Sequence, residues 1–544
     1  MKKVLILFLF LPIIFLSCES SVESENLEDN NTLYDSTNNI ELYELQLTIF
    51  KPENNTLAEG AYTFDELNQG NGKMPDRNKD IEVSALLKEV ASGKSQPGMI
   101  GYGLTEPNAV VEQRGQSARL YDQKSYQIDL LASGGLFKGH EILNLNKHAA
   151  DPTKIYNKLS FDLFTYSNEI LSLQTNFVNL WIKDLNKVDP PFTDYGLFTQ
   201  VEEVDENYFK KRNLDDNGHL YKAKIFEFQE YPMAIQLSDA KDYSVDDFEY
   251  RLDIEGLEDH SKLINMLKDV NNPLIHINDV MKEHFNRDNY LTWLASNILL
   301  GNVDTASGNY YLYSPEMSQT WYFIPWDYDK SLRGYGAEAL WKEGLTNYWG
   351  SVLHQRFLKN DDNREALTQR IDELYKEVFN EENIKTLIDA YEPILRGAFS
   401  KNPDKKTDQE IDELMDELDQ TRKDIWENKM TYYETLEKPM PFHLGTVVDQ
   451  GEYISINWDD SYDFQGQNLT YELLISDEPT MNSILYHYEN IKDTEYVLQS
   501  VPSGRYYYKV IAKDTEGLTQ EAFDIYVDQK TGLYYYGIKT FYIE

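Results

Sequence analysis

The chain has 544 residues, with 93 acidic against 51 basic side chains and a formal net charge of −42. A surface of that sign excludes nucleic acid as a partner, because phosphate binding needs clustered cations. A single cysteine, Cys18, rules out an intrachain disulfide and a thiolate metal site, while 41% apolar residues are enough to pack two or three domains.

The chain begins Met1-Lys2-Lys3, followed by an apolar run from Val4 to Leu16 and then Ser17-Cys18. The run has the length of a signal-peptide h-region and is short for a membrane span of roughly 20 residues. Leu16-Ser17-Cys18 resembles the end of a bacterial lipobox. Residues 1–18 are therefore expected to be a lipoprotein signal peptide, with Cys18 acylated as the membrane anchor. That expectation places the protein in the bacterial envelope, exported and lipid-anchored at the outer membrane or cell surface. Residues 19–41 are polar and acidic, with too few apolar side chains to order themselves, and read as a flexible tether.

Tyr43 to Phe50 alternates apolar and polar residues, as a half-buried strand does. Further strand-like runs are Lys124 to Leu130, Phe177 to Ile182 and Gly196 to Val201, with a helix over Lys154 to Tyr166. This half predicts an α+β fold with an antiparallel sheet. From Leu263 the spacing turns helical: one apolar stripe runs from Ile277 to Leu300, and residues 364–433 are amphipathic helix with many i,i+4 charge pairs. Two strand-like runs, Tyr310 to Tyr313 and Trp321 to Ile324, lie between those helical blocks.

A break comes at Lys438-Pro439-Met440-Pro441, and everything after it is strand-like. Turn signals recur at the spacing of an all-β sandwich. Trp458 and the Pro502-Ser503-Gly504 turn before a tyrosine-rich strand resemble a fibronectin type III domain, with Trp458 in the core and Tyr508 making the tyrosine corner. A glycan or a surface protein is the expected partner of this module. The expected division is residues 42–437 as one domain and 438–544 as the sandwich.

The segment from Gly301 to Asp329 carries the chemistry. A helix ends at Gly301, Asp304 follows, and Asn309 comes five residues later. A hairpin then leads to Trp326-Asp327-Tyr328-Asp329. Hairpins bring their ends together, so Asp304 and Asn309 should neighbour Asp327. One carboxylate, one amide and a second carboxylate are the groups phosphoryl transfer needs, and kinases space a catalytic Asp and a metal-binding Asn the same five residues apart. Acidic pairs are too plentiful here to single out a glycosidase pair. The nine histidines show no ligand spacing, so none is assigned to metal.

Asp304-x4-Asn309-Tyr310, the hairpin and Ile324-Pro325-Trp326-Asp327-Tyr328-Asp329 resemble the CotH kinase family, the atypical kinases of spore coats. Arg114-Gly115-Gln116-Ser117 with Lys124-Ser125-Tyr126 resembles that family's R-G-x-S…K-x-Y motif. Gly196 to Asp205 resembles its G-x-Y-x-x-x-E-x-V-D motif, with Phe198 in place of the tyrosine. The resemblance implies a two-lobed kinase-like fold that uses ATP with Mg²⁺ or Mn²⁺. It implies that Lys124 and Arg114 contact the phosphates, that Glu202 holds the lysine or a metal, and that Asp304 is the catalytic base or a metal ligand. Asn309 and Asp327 are implied as metal ligands, with Asp329 behind them. The expected activity is phosphorylation of Ser/Thr on the chain itself or on an envelope protein. A non-catalytic surface module for adhesion or glycan handling stands as the alternative.

Overall fold

The computed structural model describes residues 40–543, apart from Asn55, Gln116 and Ser500 and the stretches 70–80, 132–133 and 333–338. The signal-peptide reading, Cys18 and residues 19–39 of the tether lie outside the described residues. Among the described residues no helix is long and apolar enough to cross a membrane.

Seven strands close into a barrel: β1 (Leu42–Ile49), β2 (Val83–Val90), β3 (Ala109–Gln113), β4 (Tyr126–Leu130), β5 (Ile142–Asn146), β6 (Thr175–Asp184) and β7 (Thr193–Val201). The order around the barrel is β1-β2-β3-β4-β5-β7-β6. Alternation along β1 sends Leu45, Leu47 and Ile49 inward, where they meet Val111, Ile128 and Leu180. The closing pair, β1 with β6, is parallel, so the sheet is not wholly antiparallel as expected. Period-two alternation fixes which face of a strand is buried but says nothing about its partner's direction.

A second, antiparallel sheet follows in the order β11-β10-β8-β9, from β8 (His219–Ala223), β9 (Leu252–Ile254), β10 (Tyr310–Ser314) and β11 (Tyr322–Pro325). The helix Arg287–Leu300 is buried nearly all round and packs against it. The helically spaced apolar residues of 277–300 lie on two helices. Ile277–His284 stops at Phe285, which is extended, and Asn286 then caps the next helix by accepting from the Asn289 amide at 3.0 Å. Four further helices, Asp361–Glu377, Glu381–Phe399, Asp408–Asp419 and Thr421–Glu437, follow in the helical part.

A loop between two of these helices is tied to the barrel. Buried Asp404 accepts from the Leu197 amide at 2.7 Å and from Lys147 Nζ at 2.9 Å. The contact explains Gly196, which has φ +81° and where a Cβ would stand 2.0 Å from Asp404 Oδ2.

The C-terminal residues form two sheets. One is β12-β13-β16 (Val448–Asp449, Tyr453–Asn457 and Glu495–Gln499). The other is β15-β14-β17-β18 (Ile484–Ile491, Thr470–Ser476, Gly504–Lys513 and Thr519–Glu521). A short pair, β19 (Ile525–Val527) and β20 (Tyr534–Tyr536), precedes β21 (Ile538–Ile543), which adds to β17. Trp458 is core, packed on Tyr471 at 5.5 Å. The tyrosine corner belongs to Tyr506, whose hydroxyl donates to the Pro502 carbonyl at 2.8 Å, and not to Tyr508. Tyr508 lies deeper and donates to Gly445 O at 2.8 Å. The module packs on the helical part through Trp349 against Tyr462 and Trp341 against Phe523, at 5.4 and 5.3 Å.

Candidate active site

Gly301 ends the helix Arg287–Leu300 in the left-handed conformation, φ 63°. The chain reverses there into a 3-10 turn, Val303–Thr305, which carries Asp304. Asn309 immediately precedes β10, and the pairing of Tyr310 with Pro325 brings it beside the end of β11, from which Trp326 and Asp327 continue. Asn309 and Asp327 both hold left-handed backbone, φ 58° and 57°. They line a cleft of about 1570 Å³ together with Asp304 and Asp329. Arg114 and Glu203 reach the same cleft from the barrel side, and Lys222 reaches it from β8.

The cleft concentrates negative charge. Burial pushes the Asp327 carboxyl up, with Asp304 adding to the rise, while the cations of Arg114 and Lys222 pull it back. Asp329 is pushed up to about 7 by burial and by Asp327. Asp304 accepts from Lys330 Nζ at 2.8 Å. Two cations lie over the Trp326 ring, Arg114 at 5.7 Å and Lys222 at 4.5 Å from its centroid.

These residues fit a nucleotide with a divalent metal. Asp304, Asp327 and Asp329 bring hard carboxylate oxygens to one cleft, and Asn309 adds an amide oxygen, which is the donor set that Mg²⁺ or Mn²⁺ takes. Arg114 Nη1 and His148 Nε2 are buried at the cleft and have no hydrogen-bond partner, so each can receive an anionic or polar ligand atom. His148 stays neutral, lowered to about 3 by burial and by the charges of Lys154 and Arg114.

Asp304, Asn309, Asp327, Asp329 and Arg114 thus come together. Lys124 and Glu202 do not join them. Lys124 is absent from the cleft lining and donates its amine to the Arg119 carbonyl at 2.8 Å. Glu202 is fully buried, where Arg212 donates from Nη2 at 2.6 Å and Nη1 at 3.2 Å, and the Gln174 amide donates at 2.8 Å. Its neighbour Glu203 is the one that faces the cleft, bonded to Asn144 at 2.5 Å.

Lys222, Lys330 and Glu203 were missed by sequence reasoning. The signal for Lys222 was a lysine inside the short strand His-Leu-Tyr-Lys-Ala, a position where a cation needs a reason. Elsewhere, His487 Nε2 lies 2.6 Å from Glu472 and 3.6 Å from Glu489 on the outer face of β14 and β15. That exposed trio is joined by the hydrogen bond between His487 and Glu472.

The family model "CotH kinase protein" matches residues 111–435, more than half of the chain. Inner spore coat protein H of Bacillus subtilis (strain 168) is 25% identical over 330 residues, covering 60% of this chain and 87% of that protein. Among solved structures, the Helicobacter pylori proinflammatory kinase CtkA aligns with 57% of this chain and 94% of its own, at 13% identity and a TM-score of 0.23. The fibronectin type III domain of human fibronectin type III domain containing protein 3 aligns with 19% of this chain and 85% of its own, at 19% identity and a TM-score of 0.14. With the family model spanning β4 to β11, every residue of the cleft and most of the helices that follow, the chain belongs to the CotH kinase family.

Proposed function

We propose that the protein is an ATP- and divalent-metal-dependent protein kinase that phosphorylates Ser or Thr on its own chain or on a neighbouring envelope protein. In this reading it is held outside the cytoplasm by a lipid anchor at Cys18. The observation that carries the catalytic reading is the meeting of Asp304, Asn309 and Asp327 in one cleft, facing Arg114 and Lys222.

Asn309 and Asp327 would hold Mg²⁺ or Mn²⁺, with Asp329 behind them, and the metal would supply neutralisation of charge on the phosphate oxygens. Arg114 donates from its unpartnered Nη1 to a phosphate oxygen, and Lys222 adds a second cation in the place the resemblance gave to Lys124. Asp304, the more open carboxylate, accepts the proton of the acceptor hydroxyl as its oxygen bonds to the γ-phosphorus. The bond from that phosphorus to the β–γ bridging oxygen breaks, and ADP leaves.

Chain purified from Glu19 onward, incubated with Mg²⁺ or Mn²⁺ and γ-labelled ATP, should label itself or an added acceptor protein on Ser/Thr. Asp304→Asn and Asp327→Asn should abolish labelling in folded protein. Absence of label on every acceptor, or label that survives both substitutions, overturns the reading.

A further inference from the structure

Residues 339–348 connect the turn that carries Asp304 with the C-terminal module. At one end, Thr346–Tyr348 form a buried 3-10 turn. Asn347 Nδ2 donates to the Val303 carbonyl at 3.0 Å. Tyr348 donates from its hydroxyl to the Asn302 carbonyl at 3.1 Å and lies 3.0 Å from Thr305 Oγ1. These bonds grip the turn carrying Asp304 on both sides. Asn302 in turn donates from Nδ2 to the Asp327 carbonyl at 3.3 Å, so the same grip reaches the backbone that carries the second carboxylate.

The other end rests on the C-terminal module. The Leu340 amide donates to Glu521 Oε1 at 3.0 Å. Glu521 is itself buried and held by Lys509 Nζ at 2.5 Å. Trp341 meets Phe523 edge-on at 5.3 Å and Tyr536 at 6.4 Å. The two ends are joined internally, because Thr346 Oγ1 donates to the Trp341 carbonyl at 3.1 Å. An unbroken series of packed rings and hydrogen bonds therefore runs from β18 and β20 of the module to the turn of Asp304.

We propose that residues 339–348 are a positioning strap, through which the C-terminal module holds Asp304 and Asp327 in the geometry the cleft requires. Asn347 and Tyr348 are positioning residues, and Glu521 and Phe523 are their remote anchors. The functional half of this proposal rests on the phosphotransfer reading above. Partners one layer behind a metal site orient its ligands, and their loss costs roughly 10–100-fold in metal affinity.

The test uses the full chain, with amide hydrogen exchange and Mn²⁺ titration in the presence of a non-hydrolysable ATP analogue. Phe523→Ala should speed exchange in residues 339–348 and in 302–305, leave the barrel strands unchanged, and weaken Mn²⁺ binding by about tenfold. Tyr348→Phe, a gentler change that removes one hydroxyl, should weaken Mn²⁺ binding by roughly 10–100-fold with little loss of stability. Tyr542→Ala, at an exposed position on β21, should change neither readout. If Phe523→Ala leaves residues 302–305 at wild-type exchange, or speeds exchange uniformly across the chain, the strap transmits nothing and the proposal falls. If wild-type protein binds no Mn²⁺ with nucleotide, the phosphotransfer reading fails instead, and the exchange pattern still decides whether the strap exists.

Discussion

Asn309 and Asp327 stand at the two ends of one hairpin, and both hold left-handed backbone, φ 58° and 57°. Non-glycine residues in that region cost on the order of 1–3 kcal/mol each, with Asn and Asp entering it most readily, and they persist where the surroundings impose them. The sheet imposes it here, since the Asn309 amide must reach Ala223 O at 3.0 Å while its side chain enters the cleft. Asn309→Gly should therefore keep or raise the melting temperature, with a gain of up to about 1 kcal/mol, and should weaken Mn²⁺ binding. Thermal unfolding paired with metal titration checks both. A clear loss of stability would mean the backbone at Asn309 is unstrained.

The two lysines should part company. Lys222→Met removes a cation from the cleft and should weaken nucleotide binding at least tenfold. Lys124→Met removes only a bond to the Arg119 carbonyl and should cost about 1 kcal/mol of stability, with nucleotide affinity kept within a factor of two. Fluorescent-nucleotide binding together with urea unfolding separates these outcomes.

The adjacent carboxylates Glu202 and Glu203 should divide in the same way. Glu202→Gln leaves the Arg212 guanidinium buried without its counter-charge, and such a loss costs about 3–5 kcal/mol. Glu203→Gln should cost little stability and should change nucleotide affinity instead, because Glu203, unlike Glu202, lines the cleft and acts on Arg114 there. Denaturant unfolding and binding, measured on both variants, decide it.

Acid should destabilise the fold through buried neutral histidine. His354 is fully buried, with its Nδ1 2.8 Å from the Tyr290 hydroxyl, and burial lowers it to about 3. The unfolded chain takes up that proton near pH 6.5, so the stabilisation is complete above 6.5 and is lost as pH falls from there toward 3. The slope from this one group approaches 1.4 kcal/mol per pH unit. His354→Gln should flatten the acid limb of a stability-versus-pH curve by about that slope, at a cost in stability at pH 8. An unchanged acid limb would show that His354 is protonated in the folded state.

Much of the cleft was legible because its acidic half is contiguous. Asp304, Asn309 and Asp327 lie on one helix-turn-hairpin unit, and hairpin geometry alone brings them together. Lys222 comes from β8, more than eighty residues upstream, and no local pattern ties that strand to β10. Glu202 and Glu203 are neighbours just past the end of β7, where alternation no longer states which one turns inward. Tyr506 and Tyr508 share a strand face by period, so only the corner at Pro502 separates them. The break at Asn286 falls within helically spaced apolar residues, and their spacing alone marks no boundary there. The parallel closure of the barrel was not readable, because β1 meets β6 across more than a hundred residues.

The most direct measurement is a calorimetric titration of Mg²⁺ and a non-hydrolysable ATP analogue into the chain from Glu19 onward, wild type against Asp327→Ala. Saturable nucleotide binding that requires metal, lost in Asp327→Ala while its folded circular dichroism spectrum is retained, is the predicted result. Nucleotide binding that is absent from the wild type, or equally strong without metal and in Asp327→Ala, would contradict a kinase site in this cleft.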